Sequence, residues 1–251
     1  MSDTLYLSLW YPNLRLAALP DKLAAVLGAF AAHGGEARVY SATVWPVNWS
    51  ESPVFQQVYG RGERGAEPAF AVEQALEILH DDYAYEFQIG WSLWELEIGS
   101  AGSSASLRSV QDDSAPLEGS PSPTLGAKTE TGQKWSTPFL AGTDAQDDNL
   151  LGRWVREPRL VRVIGFGPLF DEGAFEQDGH IRLDFGSDAP FLQEDADLES
   201  VGARHIEQNV RQLLELTGAV EKVSGATARL LWSELGESLA QRLSARLGVG
   251  N

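Results

Sequence analysis

Residues 83–98 read YAYEFQIGWSLWELEI, and this stretch decides the fold. Tyr85, Phe87, Ile89, Trp91 and Leu93 share one parity, while Trp94, Leu96 and Ile98 share the other. Successive side chains of a β-strand point to opposite faces, so a period of two predicts a long strand or a hairpin. The change of parity near Gly90 to Trp94 predicts a bulge or a sharp twist. Aromatic residues on both parities predict that both faces meet something: helices on one side, and on the other the second half of the chain, a partner or a ligand.

Working back toward the N-terminus, Val72, Ala75, Leu76 and Leu79 repeat at helical spacing behind Pro68, which suits a first helical turn. Residues 54–59 and 36–47 read as strands, with Pro46 marking an edge or bend. Leu23, Val26, Leu27 and Phe30 form the stripe of an earlier helix, opened by Pro20-Asp21 and stopped by Gly34-Gly35. At the start, Leu5, Leu7 and Leu9 alternate with Tyr6, Ser8 and Trp10 as a first strand. The order β-α-β-β-α-β is that of the split βαβ, or ferredoxin-like, arrangement, in which two helices cover one face of an antiparallel sheet.

Past residue 98 the composition changes. Residues 99–149 are dominated by Ser, Gly, Pro, Thr and Asp, around Ser120-Pro121-Ser122-Pro123. Such a stretch buries too little apolar area to offset its ordering entropy, so a polar connector or excursion is expected, with Trp135, Phe139 and Leu140 able to dock back. From residue 150 the elements restart. Residues 160–166 (LVRVIGF) and 180–185 are strands, with Ile181, Leu183 and Phe185 on one face of the latter. Ile206, Val210, Leu213 and Leu214 form a helical stripe that Gly218 is expected to stop. A strand at 227–232 and a last helix bearing Leu239, Leu243 and Leu247 follow. The expected fold class is α+β: two ferredoxin-like (split βαβ) units, residues 1–98 and 150–251, with antiparallel sheets and helices on one face, joined by residues 99–149. The alternative is a single irregular α+β domain.

Composition narrows the function. The formal net charge is −17, and residues 61–200 hold 27 Asp/Glu against 10 Lys/Arg. A negative surface repels phosphate backbones and draws in basic partners, so a basic protein partner is expected and a nucleic acid is not. The chain has no cysteine, which removes disulfides, thiolate metal sites and cysteine nucleophiles. No apolar run is long enough to span a bilayer, and the N-terminus lacks the pattern of a secretory signal, so a cytoplasmic protein is expected. Arginine outnumbers lysine 15 to 4, as in proteins of GC-rich bacteria.

Motifs for catalysis are absent. Gly165-Phe166-Gly167 follows a strand, but the third glycine of a dinucleotide loop would fall on Phe170, so a bend is expected. There is no Walker-type loop and no Gly-x-Ser-x-Gly elbow. His33 and His80 fall at helix C-terminal ends, and His205 at the boundary of its helix stripe. The best constellation is His180, Arg182 and Asp184, alternate residues of one strand that point the same way, about 6–7 Å apart. An imidazole, a guanidinium and a carboxylate in a row can bind an anion or move a proton, although a mixed-charge ladder facing solvent has the same pattern. Trp91 and Trp94 are the candidate aromatic contacts. No metal site and no cofactor are expected. The function expected is a non-enzymatic binding or interaction protein, inhibitor- or immunity-like, that recognises a basic partner. The alternative is a small-molecule enzyme or sensor with its site between two ferredoxin-like halves.

Overall fold

A computed structural model of the chain describes residues 3–97, 153–192 and 200–234. Residues 83–97 form one continuous strand, with Tyr85, Phe87, Ile89, Trp91 and Leu93 all buried on its inner side. The strands are β1 (Thr4–Trp10), β2 (Gly35–Pro46), β3 (Phe55–Val58), β4 (Tyr83–Glu97), β5 (Arg153–Phe166), β6 (Ile181–Ser187) and β7 (Ala228–Ser233). The helices are α1 (Leu19–Ala32), α2 (Pro68–Ala75), the single turns α3 (Phe175–Asp178) and α4 (Ala189–Leu192), and α5 (Ser200–Ser224).

All seven strands join one antiparallel sheet, in the order β3-β2-β4-β5-β6-β1-β7. The α+β class and the antiparallel pairing agree with the alternation in the sequence. The partner of β1 does not: a ferredoxin-like first unit would place β1 beside β4, and here it lies between β6 and β7. The reason is physical. Alternating Leu5, Leu7 and Leu9 specify a half-buried strand, but nothing in that pattern names its neighbour. The split β-α-β crossover nevertheless occurs twice. β3-α2-β4 straddles β2, and β6-α5-β7 straddles β1, so strands from both ends of the chain interleave.

One face of the sheet carries the main core. Leu23, Val26, Leu27 and Phe30 of α1, Val72 and Ala75 of α2, and Ile206, Val210, Leu213 and Val220 of α5 pack on Leu5, Leu7, Phe87, Trp91, Val163 and Leu183. Trp91 is the hub. Its ring lies 5.3 Å from Phe185, 6.1 Å from Phe191 and 6.3 Å from Phe30, and its Nε1–H donates to the His33 carbonyl at 2.9 Å. The helix of Ile206 runs on through Gly218 to Ser224, and Leu214 is exposed. A helical glycine costs only about 1 kcal/mol, which burial of Val220 two residues later outweighs. The stop is Gly225, at φ 70°.

The opposite face is polar along its middle, with a small aromatic cluster of Ala84, Ile164, Phe166 and Phe170 at one end. No described helix is long and apolar enough to cross a membrane. The expected connector at 99–149 and the last helix lie outside the described residues.

Candidate binding site

The β5–β6 connection, residues 167–180, builds the chemically richest part of the surface. It is sewn to two other turns by backbone hydrogen bonds. Gly167 N–H donates to the Tyr83 carbonyl at 2.8 Å, Leu169 N–H to Asp81 at 2.8 Å, and Asp171 N–H to Val47 at 2.7 Å. Val47 N–H in turn donates to Asp82 at 2.7 Å. A Cβ on Gly167 would stand 2.4 Å from the Asp81 carbonyl oxygen, so only glycine permits this approach. Three residues at this corner take left-handed backbone conformations: Val47 (φ 59°), Asp171 (φ 46°) and Glu172 (φ 57°). Each costs about 1–2 kcal/mol, and such strain concentrates where a surface is held in shape for function.

On that corner Trp49 meets Phe170 at 5.0 Å, Trp45 at 5.8 Å and Phe166 at 6.2 Å. Beside it Val47 is 49 % exposed, Leu169 65 % and Trp49 itself 37 %. Acidic side chains flank this patch. Glu51, Asp81, Asp171 and Glu172 are exposed, and none of them is in an ion pair among the described residues. Asp82 meets the His80 ring at 2.5 Å.

On the other side of the same connection lies a cleft of about 360 Å³. The β1–α1 connection supplies Asn13, Leu14 and Leu16, α1 supplies Leu19, and Phe166, Pro168 and Phe175 face them. His180 and Tyr11 complete the lining. His180 Nδ1 accepts a hydrogen bond from the Tyr11 backbone N–H at 3.2 Å, and its ring lies 4.9 Å from that of Phe175. Burial lowers the His180 pKa. The bond from Tyr11 works in the same direction, because it needs a lone pair on Nδ1. Burial pushes the Tyr11 phenol up to about 12.

The residues singled out from sequence have separate fates. His180 lines the cleft. Arg182 and Asp184 do share a face of β6, but each has its own partner: Arg182 bonds Asp178, and Asp184 bonds Arg162 and accepts the Gly186 N–H at 2.8 Å. Burial opposes the Arg162 charge, but the Asp184 carboxylate outweighs it and raises the guanidinium pKa. The Arg182 guanidinium lies over the Tyr6 and Phe166 rings, at 5.4 and 5.5 Å. Trp91 is a core residue. Trp94 stacks on His205 at 4.1 Å, and Trp154 lies 5.3 Å from the same imidazole. His205, expected at the boundary of its helix stripe, thus lies against two indoles. Burial lowers its pKa.

Sequence reasoning missed the corner built by Val47, Trp49, Leu169 and Asp171. The Asp171-Glu172-Gly173 turn signal was present, but its contact with residues 45–49 comes from the sheet order. No group of three or more His, Asp or Glu among the described residues is arranged to hold a metal ion. Comparison with known protein families, with curated protein sequences and with solved structures finds no match.

Proposed function

We propose that the protein is a non-catalytic binding protein that recognises a basic partner on the corner formed by Trp45, Val47, Trp49 and Leu169. One observation carries this reading: an exposed aromatic and aliphatic patch ringed by Glu51, Asp81, Asp171 and Glu172, none in an ion pair among the described residues. Apolar surface at the centre supplies contact area, and Trp is among the side chains that most often dominate binding energy. Unneutralised carboxylates around it speed the approach of a cation and repel other acids. Arginine side chains suit such a surface twice over, since they stack on indoles and bond carboxylates through a planar fork. The groups with catalytic potential on β6 support a binding role too, being engaged with Asp178 and Arg162. An inhibitor- or immunity-like action in the bacterial cytoplasm is the concrete form of this proposal.

Titration with a defined arginine-rich peptide, followed by tryptophan fluorescence at low and high salt, tests it. Saturable binding that weakens steeply with salt and is lost in Asp171→Lys/Glu172→Lys is expected. Binding that ignores salt, or that Trp49→Ala leaves unchanged, would overturn it.

A further inference from the structure

The cleft on the far side of the β5–β6 connection has a different chemistry from the acidic corner. Its walls are Leu14, Leu16 and Leu19 against Phe166, Pro168 and Phe175, and no charged side chain lines it. An ion entering such a place loses its hydration, and the cations beside its lining, Lys22 over the Tyr11 ring at 5.4 Å and Arg182 over the Phe166 ring at 5.5 Å, are already held by the Ser224 carbonyl and by Asp178. A volume of about 360 Å³ suits a small organic molecule. Facing aromatic and leucine side chains favour a flat, apolar body.

The polar groups then set the ligand's functional group. Because Nδ1 of His180 accepts from the Tyr11 backbone, the neutral imidazole carries its proton on Nε2. Nε2 has no hydrogen-bond partner among the described residues, which leaves it as the free ring donor of a residue that lines the cleft. The imidazole is also held in place. Gly179, at φ 86°, runs so close to β1 that a Cβ there would stand 2.8 Å from the Leu9 nitrogen. That contact seats His180 against Tyr11, and Phe175 covers the ring at 4.9 Å. A fixed donor at the wall of an apolar cleft selects a ligand with one uncharged acceptor.

We propose that this cleft is a binding site for a neutral, planar aromatic compound bearing a hydrogen-bond acceptor, with His180 Nε2–H as the donor. It needs no basic partner, although Phe166 belongs both to this cleft and to the Trp49 cluster of the corner. Benzamide is the probe, with benzoate and benzylamine as charged controls of similar shape. In two-dimensional NMR of the full chain, benzamide shifts the amides of residues 11–16 and 175–180 saturably. Both controls bind roughly ten-fold more weakly. The long-range imidazole ¹⁵N spectrum reports the Nε2–H tautomer of His180 before and after binding. Leu16→Trp fills the cleft and abolishes the shifts. His180→Phe keeps the walls, removes the donor and weakens binding roughly ten-fold. The proposal fails if benzamide gives no saturable shift in the wild-type protein, if the shifts map elsewhere, or if benzoate binds as well as benzamide. The wild-type map decides the matter even if neither variant folds. Salt leaves benzamide binding unchanged, whereas it abolishes binding of the arginine-rich peptide, so either reading can fail without the other.

Discussion

Asn209 takes the place of a missing strand. β2 ends at Gly35 opposite Trp91, so the β4 backbone beyond Trp91 has no β2 neighbour on that side. The side chain of Asn209, fully buried on α5, fills the gap. It accepts from the Trp94 N–H at 2.9 Å and donates to the carbonyls of Trp94 at 2.8 Å and Pro190 at 2.9 Å. Asn209→Leu keeps the size and leaves buried backbone groups unpaired, so it should cost about 2–4 kcal/mol in urea denaturation. Acid should also weaken the fold. Burial lowers the pKa of both His180 and His205, so below about pH 6.5 the unfolded chain binds protons that the native state refuses. Stability is therefore full above that pH and is lost as the pH falls through the window below it. Denaturation midpoints measured from about pH 7.5 to 5 should show this slope, and the double variant His180→Gln/His205→Gln should flatten it. At this scale the sequence was legible only in part. Parity put Arg182 and Asp184 on one face, but their partners Asp178 and Arg162 come from a helical turn and a neighbouring strand that parity cannot see. Asn209 reads as an ordinary polar residue of an amphipathic helix, because its role depends on where another strand stops.

At the scale of elements, periodicity was a good guide to what forms and a poor one to where it ends. The stripes of α1 and α2 and the alternation of β1, β4 and β6 are all expressed as burial. Gly218 misled, because packing downstream overrides a local propensity. The same glycine offers a test. A Cβ there would meet nothing nearer than the Arg229 guanidinium at 3.5 Å, so Gly218→Ala should stabilise the protein by about 0.5–1 kcal/mol, seen as a higher thermal midpoint. The turn after β2 makes the opposite point. Val47 is a β-branched residue in a left-handed conformation, which no propensity would place there. Val47→Gly relieves about 1–2 kcal/mol of strain and loses part of that gain to the greater entropy of the unfolded chain, a net gain of up to about 1 kcal/mol. If the strained turn serves the acidic corner, the gain in thermal midpoint should come with weaker binding of the basic peptide.

For the whole molecule, the decisive feature is the position of β1. Its residues pair with 181–187 on one side and 228–233 on the other, so the contacts that hold it are almost as long-range as the chain permits. The alternation of leucines could not reveal this, since it fits any half-buried strand equally well. Long-range pairing delays folding, because loop-closure entropy must be met before the contacts form. Refolding from denaturant should therefore be slow, on the order of milliseconds to seconds, and pulse-labelled hydrogen exchange should find the amides of Leu5, Leu7 and Leu9 protected only in the final phase. Earlier protection of those amides would show that β1 first pairs elsewhere.

That arrangement has a price during biosynthesis. At about 5–20 residues per second, the ribosome needs roughly 10–45 s after finishing β1 to make the last strand that flanks it. Leu5, Leu7 and Leu9 spend that interval outside any native shelter, on a nascent chain that cannot close its sheet until residues 228–233 have been made. Molecular chaperones that hold short apolar segments should accordingly raise the yield of folded protein in cell-free translation, and should act on residues 4–10.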